Sequence, residues 1–264
     1  MDQVEGARSF RVDGAAYDRF MGRYSVPLAE RFADAAGITA GLTALDVGCG
    51  PGALTAVLVD RLGAGAVTAC DPSEDFVAAC GARHPGVRVV PARAESLPFE
   101  VAEFDAVLAQ LVLPFVSDPV AALDEFVRVA SPGGRIGVCV WDYAQEMEML
   151  RMFWDAALGD DPDAPDEARV LPFSLPGECV ALLERAGAVD VEEGTLTVTT
   201  SYQDFDELWA GFLLGIGPAG AYLTSRSSEA QEAIRTELFD RAGRPSDRFD
   251  LSAVARYAFG DRPS

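Results

Sequence analysis

The stretch Ala44-Leu45-Asp46-Val47-Gly48-Cys49-Gly50-Pro51-Gly52-Ala53-Leu54 decides the fold. It reads as a buried strand that passes through a glycine-rich loop into a helix. A strand of this kind delivers its loop to the carboxyl edge of an open α/β sheet, where the ligands of such sheets bind. Glycines at 48, 50 and 52 permit positive φ and carry no Cβ, so a ligand can lie against bare main chain. The N–H groups at the start of the following helix favour a negative group such as a carboxylate.

On both sides of this stretch, short apolar runs alternate with helical spacing. Val26–Ala36 predicts an amphipathic helix ahead of the first strand, Ala44–Val47. Then come Leu54–Leu62 as helix, Ala66–Cys70 as strand, Glu74–Arg83 as helix and Val87–Val90 as strand. Asp105–Ala109, Pro119–Ala130 and Arg135–Trp141 repeat the rhythm as strand, helix and strand, with Ser131-Pro132-Gly133-Gly134 as a break before the last. Nearly continuous hydrophobic strands separated by helices are the signature of a parallel sheet covered on both faces. Beyond Trp141 the rhythm fails. Glu146–Leu158 reads as a helix, Gly159–Pro172 as an acidic, Pro-rich connection and Gly177–Ala186 as a helix; Val189–Thr200 alternates as a strand. Phe205–Leu214 and Ser228–Asp240 read as helices before a last strand at Leu251–Phe259.

A second acid stands 23 residues after Gly48: the strand Ala66–Cys70 runs into Asp71. A carboxylate there can accept hydrogen bonds from both ribose hydroxyls of a nucleoside, which alone does not separate one cofactor from another. The glycine spacing does. The dinucleotide fingerprint is G-x-G-x-x-G, whereas this loop is Gly48-x-Gly50-x-Gly52 preceded by Asp46.

The D-x-G-x-G-x-G pattern resembles that of the class I S-adenosylmethionine-dependent methyltransferases, and most closely the type 11 subgroup, which includes the ubiquinone-biosynthesis C-methyltransferases. The likeness runs from Tyr17 to Trp141 and is weak over residues 143–264. It implies an α/β, doubly wound, Rossmann-like sheet of seven strands, mostly parallel with the last strand antiparallel, carrying a helical cap insert. The expected division is an N-terminal lid and first helix over 1–36, a cofactor-binding core over 37–142, cap segments over 143–176 and 203–245, and the rest of the core over 177–202 and 246–264.

The resemblance also implies site residues. Asp46, Gly48, Cys49, Gly50 and Gly52 would hold the methionine portion of S-adenosylmethionine, and Asp71 with Pro72 would meet the ribose. Ala94 and Glu95 match the loop after the third strand that meets the adenine; Gln110 and Leu111 lie where the sulfonium end is usually lined. Tyr17-Asp18-Arg19-Phe20-Met21-Gly22-Arg23-Tyr24-Ser25 is similar to a lid of a bacterial subgroup, with Tyr17 and Arg23 as cofactor neighbours. The product would be S-adenosylhomocysteine.

Composition narrows the function. At 264 residues the chain can hold one large α/β domain with an insert. The net charge of −21 repels nucleic-acid phosphates and anionic lipid, so a small-molecule acceptor is expected and nucleic acid and membrane are not. The sequence contains no lysine, which rules out Schiff-base catalysis by a lysine amine. Five cysteines without a CxxC pair imply neither a disulfide framework nor a metal site. No apolar run approaches a membrane span, and a cytoplasmic monomer or homodimer is the expectation.

Methyl transfer from a sulfonium is an in-line displacement in which the protein mainly aligns the reactants, so a dedicated base is optional. Asp142, Tyr17 and Tyr24 are the candidates for one. The single histidine, His84, falls after a helix and before a strand, which places it at the amino edge, away from the cofactor. Trp141, Tyr143, Trp154, Trp209, Phe212 and Tyr222 gather around the insert. They either pack its helices together or line an apolar acceptor pocket. Two other readings stay open: a non-catalytic S-adenosylmethionine-binding regulatory module, and an NAD(P)-dependent oxidoreductase.

Overall fold

The computed structural model describes residues 18–264. A π-type turn at Asp18–Gly22 leads into helix α1 (Arg23–Ala35). Strand β1 (Ala44–Val47) follows, then α2 (Ala53–Leu62), β2 (Val67–Asp71), α3 (Glu74–Arg83) and β3 (Arg88–Pro91). After β4 (Phe104–Gln110) come α4 (Pro119–Val129) and β5 (Ala130–Trp141). The last part holds α5 (Glu148–Asp160), α6 (Glu167–Val170), α7 (Glu178–Arg185), β6 (Val189–Tyr202), α8 (Phe205–Leu213), α9 (Gly217–Thr224), α10 (Ser228–Arg241) and β7 (Phe249–Asp261).

The seven strands form one sheet in the order β3-β2-β1-β4-β5-β7-β6. The first five are parallel, and β7 runs antiparallel to both β5 and β6. The expected seven-stranded, mostly parallel sheet is therefore present. All four residues of β1 are buried, as a strand covered on both faces requires. Strand order reverses between β1 and β4. That makes their carboxyl ends the topological switch point, the place where an open α/β sheet leaves a crevice.

Local chemistry sets the helix starts. The Ser73 hydroxyl accepts from Phe76 N to begin α3, and Asp118 accepts from Ala121 N ahead of Pro119 to begin α4. On α2, Arg61 reaches Glu30 and Asp34 of α1, fixing the first helix beside the second. Phe32 of α1 stacks on Phe259 of β7 at 5.3 Å, so the first helix also crosses onto the antiparallel half of the sheet.

Three local expectations change. Ser131–Gly134 is a bulge inside β5 and not a break: Ala130 pairs with Phe104, and Arg135 already pairs with Ala106. The acidic connection after α5 contains the single turn α6, where the Asp166 side chain accepts from Ala168 N. The apolar stretch after α8 forms the separate helix α9, entered through Gly215 and Gly217, both at positive φ, with Pro218 in its first turn.

Candidate cofactor site

The glycine loop is bound to the neighbouring strand before any ligand is considered. Gly48 N and Cys49 N both donate to Cys70 O at the end of β2, and Gly50 N donates to Asp71 Oδ2 at 3.0 Å. Gly52 N donates to Cys49 O. The loop's own N–H groups are thus used internally, and the donors left for an anion belong to the start of α2, where Ala53 and Leu54 have no intrahelical partner by helix geometry. Side chains are excluded where the loop is tightest. A Cβ on Gly48, at φ +71°, would lie 2.5 Å from Val112, and one on Gly52, at φ +101°, would lie 2.7 Å from His84 Nε2. Gly50 differs. A Cβ there would meet nothing within 4 Å, which leaves room for a ligand against the main chain.

A cavity of about 40 Å³ opens at this switch point, between the ends of β1 and β4. Asp46, Gly48, Cys49, Gly50, Gln110 and Leu111 line it, together with Ala53 and Leu54. Asp46 is 1% exposed and accepts from the Thr55 hydroxyl at 2.6 Å. Desolvation pushes its carboxyl up to about 7, against the lowering by Thr55, and the charge of Asp71 adds to the rise. A cation beside it would be matched by a full negative charge once that proton leaves. Leu111 holds φ +64°, a backbone strain located at the cavity wall. Gln110 donates through Nε2 to Ser25 O, tying β4 to α1. Its Oε1 and the Ser25 hydroxyl are buried without a partner. Two unpartnered polar atoms on one cavity are what a polar ligand would satisfy.

Residues 45–138 match the family model for the methyltransferase domain. Over those residues the chain is similar to the type 11 methyltransferases, as the glycine loop led one to expect. It is 40% identical over 105 residues to a demethylmenaquinone methyltransferase of Beutenbergia cavernae, covering 40% of this chain and 43% of that protein. It is 38% identical over 96 residues to a malonyl-[acyl-carrier protein] O-methyltransferase of Erwinia billingiae, covering 36% and 38%. The chain thus spans less than half the length of these curated relatives. The fold extends further than the sequence likeness. Phospholethanolamine N-methyltransferase 2 of Haemonchus contortus, solved with phosphomonomethylethanolamine and S-adenosylhomocysteine, superimposes with a TM-score of 0.57 at 15% identity, covering 95% of this chain and 57% of that one.

Within the methyltransferase domain, Asp71 is buried at the end of β2, where Gly50 N and Ser73 N each donate to one of its oxygens. Burial raises its pKa, and those two N–H groups pull it back in part. Each oxygen keeps capacity for a further hydrogen bond. Pro72 is exposed next to it. Ala94 is buried, and neither it nor Glu95 lines the cavity. Glu95 accepts from Arg93 and from Ser117 N and Asp118 N, which staples the loop after β3 to the loop before α4. Burial works against its charge, but those donors outweigh it and hold its pKa low.

Several expected placements are corrected. His84 does not lie away from the loop: its imidazole packs against Gly52, at the end of α3 where Arg83 also donates to Pro51 O. Arg23 reaches the other way, pairing with Glu207 of α8 and covering the Tyr202 ring with its guanidinium 4.1 Å from the centroid. It does not line the cavity. Tyr17 lies outside the described residues. Tyr24 is fully buried, with its hydroxyl 3.1 Å from that of Tyr202, and burial raises its pKa, so it holds its proton. Asp142 is also sequestered. Arg256 donates to Oδ2 at 2.7 Å and Gln145 N to Oδ1, which makes it an anchor for the turn after β5.

The aromatic residues of the last third close on one another. Phe153 stacks on Phe212 at 4.4 Å and meets Trp154 and Tyr222 edge-on. The Trp154 indole donates to Glu167 at 2.6 Å, and the Tyr222 hydroxyl donates to Asp161. Trp141 packs edge-on to Tyr24 and buries an unpartnered Nε1. Trp141, Tyr143, Trp154, Trp209, Phe212 and Tyr222 are all buried, and none lines the cavity at the glycine loop. Sequence reasoning missed Ser25 as a site residue. Its signal was its place two residues after Arg23 in the segment that resembles a lid.

Proposed function

We propose that the protein is an S-adenosylmethionine-dependent methyltransferase acting on a small, partly hydrophobic acceptor by in-line transfer, with S-adenosylhomocysteine as product. One observation carries this reading: a cavity at the switch point joins a buried carboxylate, Asp46, to a glycine with open space beside its Cα and to two unpartnered polar atoms. The residues present fit the cofactor. Asp46 would face its ammonium, the start of α2 its carboxylate, and Asp71 its ribose hydroxyls. Ser25 and Gln110 would supply the remaining polar contacts. When bound, the cofactor supplies the activated methyl group.

The chain's own task is alignment and exclusion of water. Asp142 is engaged by Arg256 and Tyr24 by Tyr202, which leaves Tyr17, outside the described residues, as the candidate base for an acceptor that does not bring an available lone pair. The net charge of −21 opposes a polyanionic acceptor. The segments 143–176 and 203–245 form the cap over this core in our reading. The relatives are named for two different acceptors, demethylmenaquinone and a malonyl-acyl-carrier protein, so the acceptor is a property of the region outside the shared segment.

Calorimetric titration with S-adenosylhomocysteine and with NAD tests the reading directly. Saturable binding of the first and no heat from the second is the expected result. NAD binding without S-adenosylhomocysteine binding overturns it.

A further inference from the structure

Two buried thiols of this site are not used by the methyl transfer proposed above. Cys49 belongs to the glycine loop and lines the cavity; Cys80 comes from α3 and has no exposed surface. With Ala69 they form a small apolar cluster apart from the main core, backed by Val87 and Val89. The two thiols share that cluster, and Cys80 Sγ stands 3.2 Å from where a Cβ on Gly52 would lie, so α3 brings it against the loop that carries Cys49. Cys80 Sγ also donates to Thr55 Oγ1 at 3.6 Å, and Thr55 Oγ1 donates to Asp46 Oδ2 at 2.6 Å. A chain of thiol, hydroxyl and carboxylate therefore connects Cys80 to the acid of the cofactor cavity. The remaining cysteines, Cys70, Cys139 and Cys179, are buried free thiols that do not line the cavity.

We propose that Cys49 and Cys80 are an oxidisable dithiol that closes into a disulfide when a peroxide enters the cofactor cavity, and that this closure weakens cofactor binding. The effect on binding rests on the function proposed above; the dithiol chemistry does not. A peroxide is small enough for the cavity, and the cofactor would cover the same wall. Cys80 passes its proton to Thr55 as Thr55 passes its own to Asp46. The proton left on Cys49 shifts to Cys80 while the Cys49 sulfur attacks a peroxide oxygen. The O–O bond breaks, Cys49 becomes a sulfenic acid, and the departing hydroxide takes the proton from Asp46 to form water. Cys80 then gives up its proton by the same route and displaces hydroxide from the Cys49 sulfur. The S–S bond forms as the S–O bond breaks, and that hydroxide also leaves as water. In sum, two thiols and one hydrogen peroxide give one disulfide and two waters, each sulfur losing one electron to the peroxide.

Closure would draw the two sulfurs to a bond length of about 2.05 Å and pull the loop toward α3. Cys80 would cease to donate to Thr55, and the Gly50 main chain beside Cys49 would shift against the ligand.

The test uses the intact chain, reduced and then treated with hydrogen peroxide. Cleavage before aspartates separates residues 46–59, 60–70 and 75–104, which carry Cys49, Cys70 and Cys80 one each. The expected product is a 46–59 peptide linked to 75–104, two hydrogens lighter than the free pair. Its formation slows when S-adenosylhomocysteine is present. Affinity for S-adenosylhomocysteine falls by about tenfold or more on oxidation and returns with dithiothreitol. Cys80→Ala yields no linked peptide and stops at a Cys49 sulfenic acid that dimedone traps; Cys80→Ser gives the same readout should the alanine variant fail to fold. Peroxide that leaves Cys49 and Cys80 as free thiols overturns the proposal, as does a linked protein that binds S-adenosylhomocysteine as tightly as the reduced one. A reduced protein that binds no S-adenosylhomocysteine sinks the cofactor reading instead, and the peptide map still reports on the dithiol.

Discussion

The glycine-loop edge of the sheet and the helices of the last third treat their polar atoms in opposite ways. Where β1 and β4 end, the Ser25 hydroxyl and Gln110 Oε1 are buried without partners, and Asp46 sits in a low dielectric with one hydroxyl for company. In the helices of the last third, the polar groups among the aromatic rings are paired: Trp154 with Glu167, Tyr222 with Asp161, and Arg151 with both oxygens of Asp166. Unpaired buried groups lower stability, so a fold retains them where a ligand repays the loss. The first region is built to receive something, and the second is built to stay closed.

The largest expected break in that contrast is Phe153→Ala. Phe153 is fully buried and stacked on Phe212, so its loss should cost about 3–5 kcal/mol of stability in denaturant unfolding. S-adenosylhomocysteine affinity measured below the unfolding midpoint should change little. A large change in affinity with small loss of stability would mean that these rings do line a ligand pocket.

Asp71→Ala is the converse. It removes a charged acceptor and leaves Gly50 N and Ser73 N without theirs, and cofactor affinity by calorimetry should drop by about 1–3 kcal/mol. Unaltered affinity would dissociate the end of β2 from the ligand.

A pH titration sharpens the role of Asp46, whose carboxyl keeps its proton up to about 7. Because the cofactor's ammonium prefers the charged form, affinity should rise with pH and level off above 7, falling by about tenfold per unit below it. Asp46→Asn should flatten that profile. Stability runs the other way. The folded state binds this proton where the unfolded chain, near the ordinary 3.8, has already lost it, so unfolding free energy decreases as pH rises from 3.8 to about 7. The smallest effect is expected from Ser25→Ala, about 0.5–1.5 kcal/mol in cofactor affinity with stability unchanged or slightly increased. An unaffected affinity would show that the Ser25 hydroxyl faces no ligand.

The sheet and its glycine loop were readable in the sequence because their signals are local. A buried four-residue strand, three glycines at alternate positions and Asp71 at the end of the next strand each constrain their own backbone. The cap was harder. Phe153, Trp154 and Phe212 at helical spacing look alike whether they face a pocket or each other, since that depends on which helix arrives opposite. Arg23 misled for a related reason: its partners, Tyr202 and Glu207, lie far along the chain and leave no mark near it. His84 was misplaced because the end of α3 meets the glycine loop, with Arg83 donating to Pro51 O and Cys80 to Thr55, contacts that no local pattern encodes.

The fastening of the first helix has a bearing on how the molecule comes into being. Arg23 meets a partner 184 positions later and Tyr24 one 178 positions later, while Ser25 of the same helix forms a wall of the cavity. A chain emerging from the ribosome can assemble the parallel strands early and hold the helix through Arg61 and Gln110, yet the two clamps on Ser25's neighbours, Arg23 and Tyr24, wait for Tyr202 and Glu207 to emerge. Copies that stop short of those residues would keep a wall fastened from one side alone, and its final setting would arrive late.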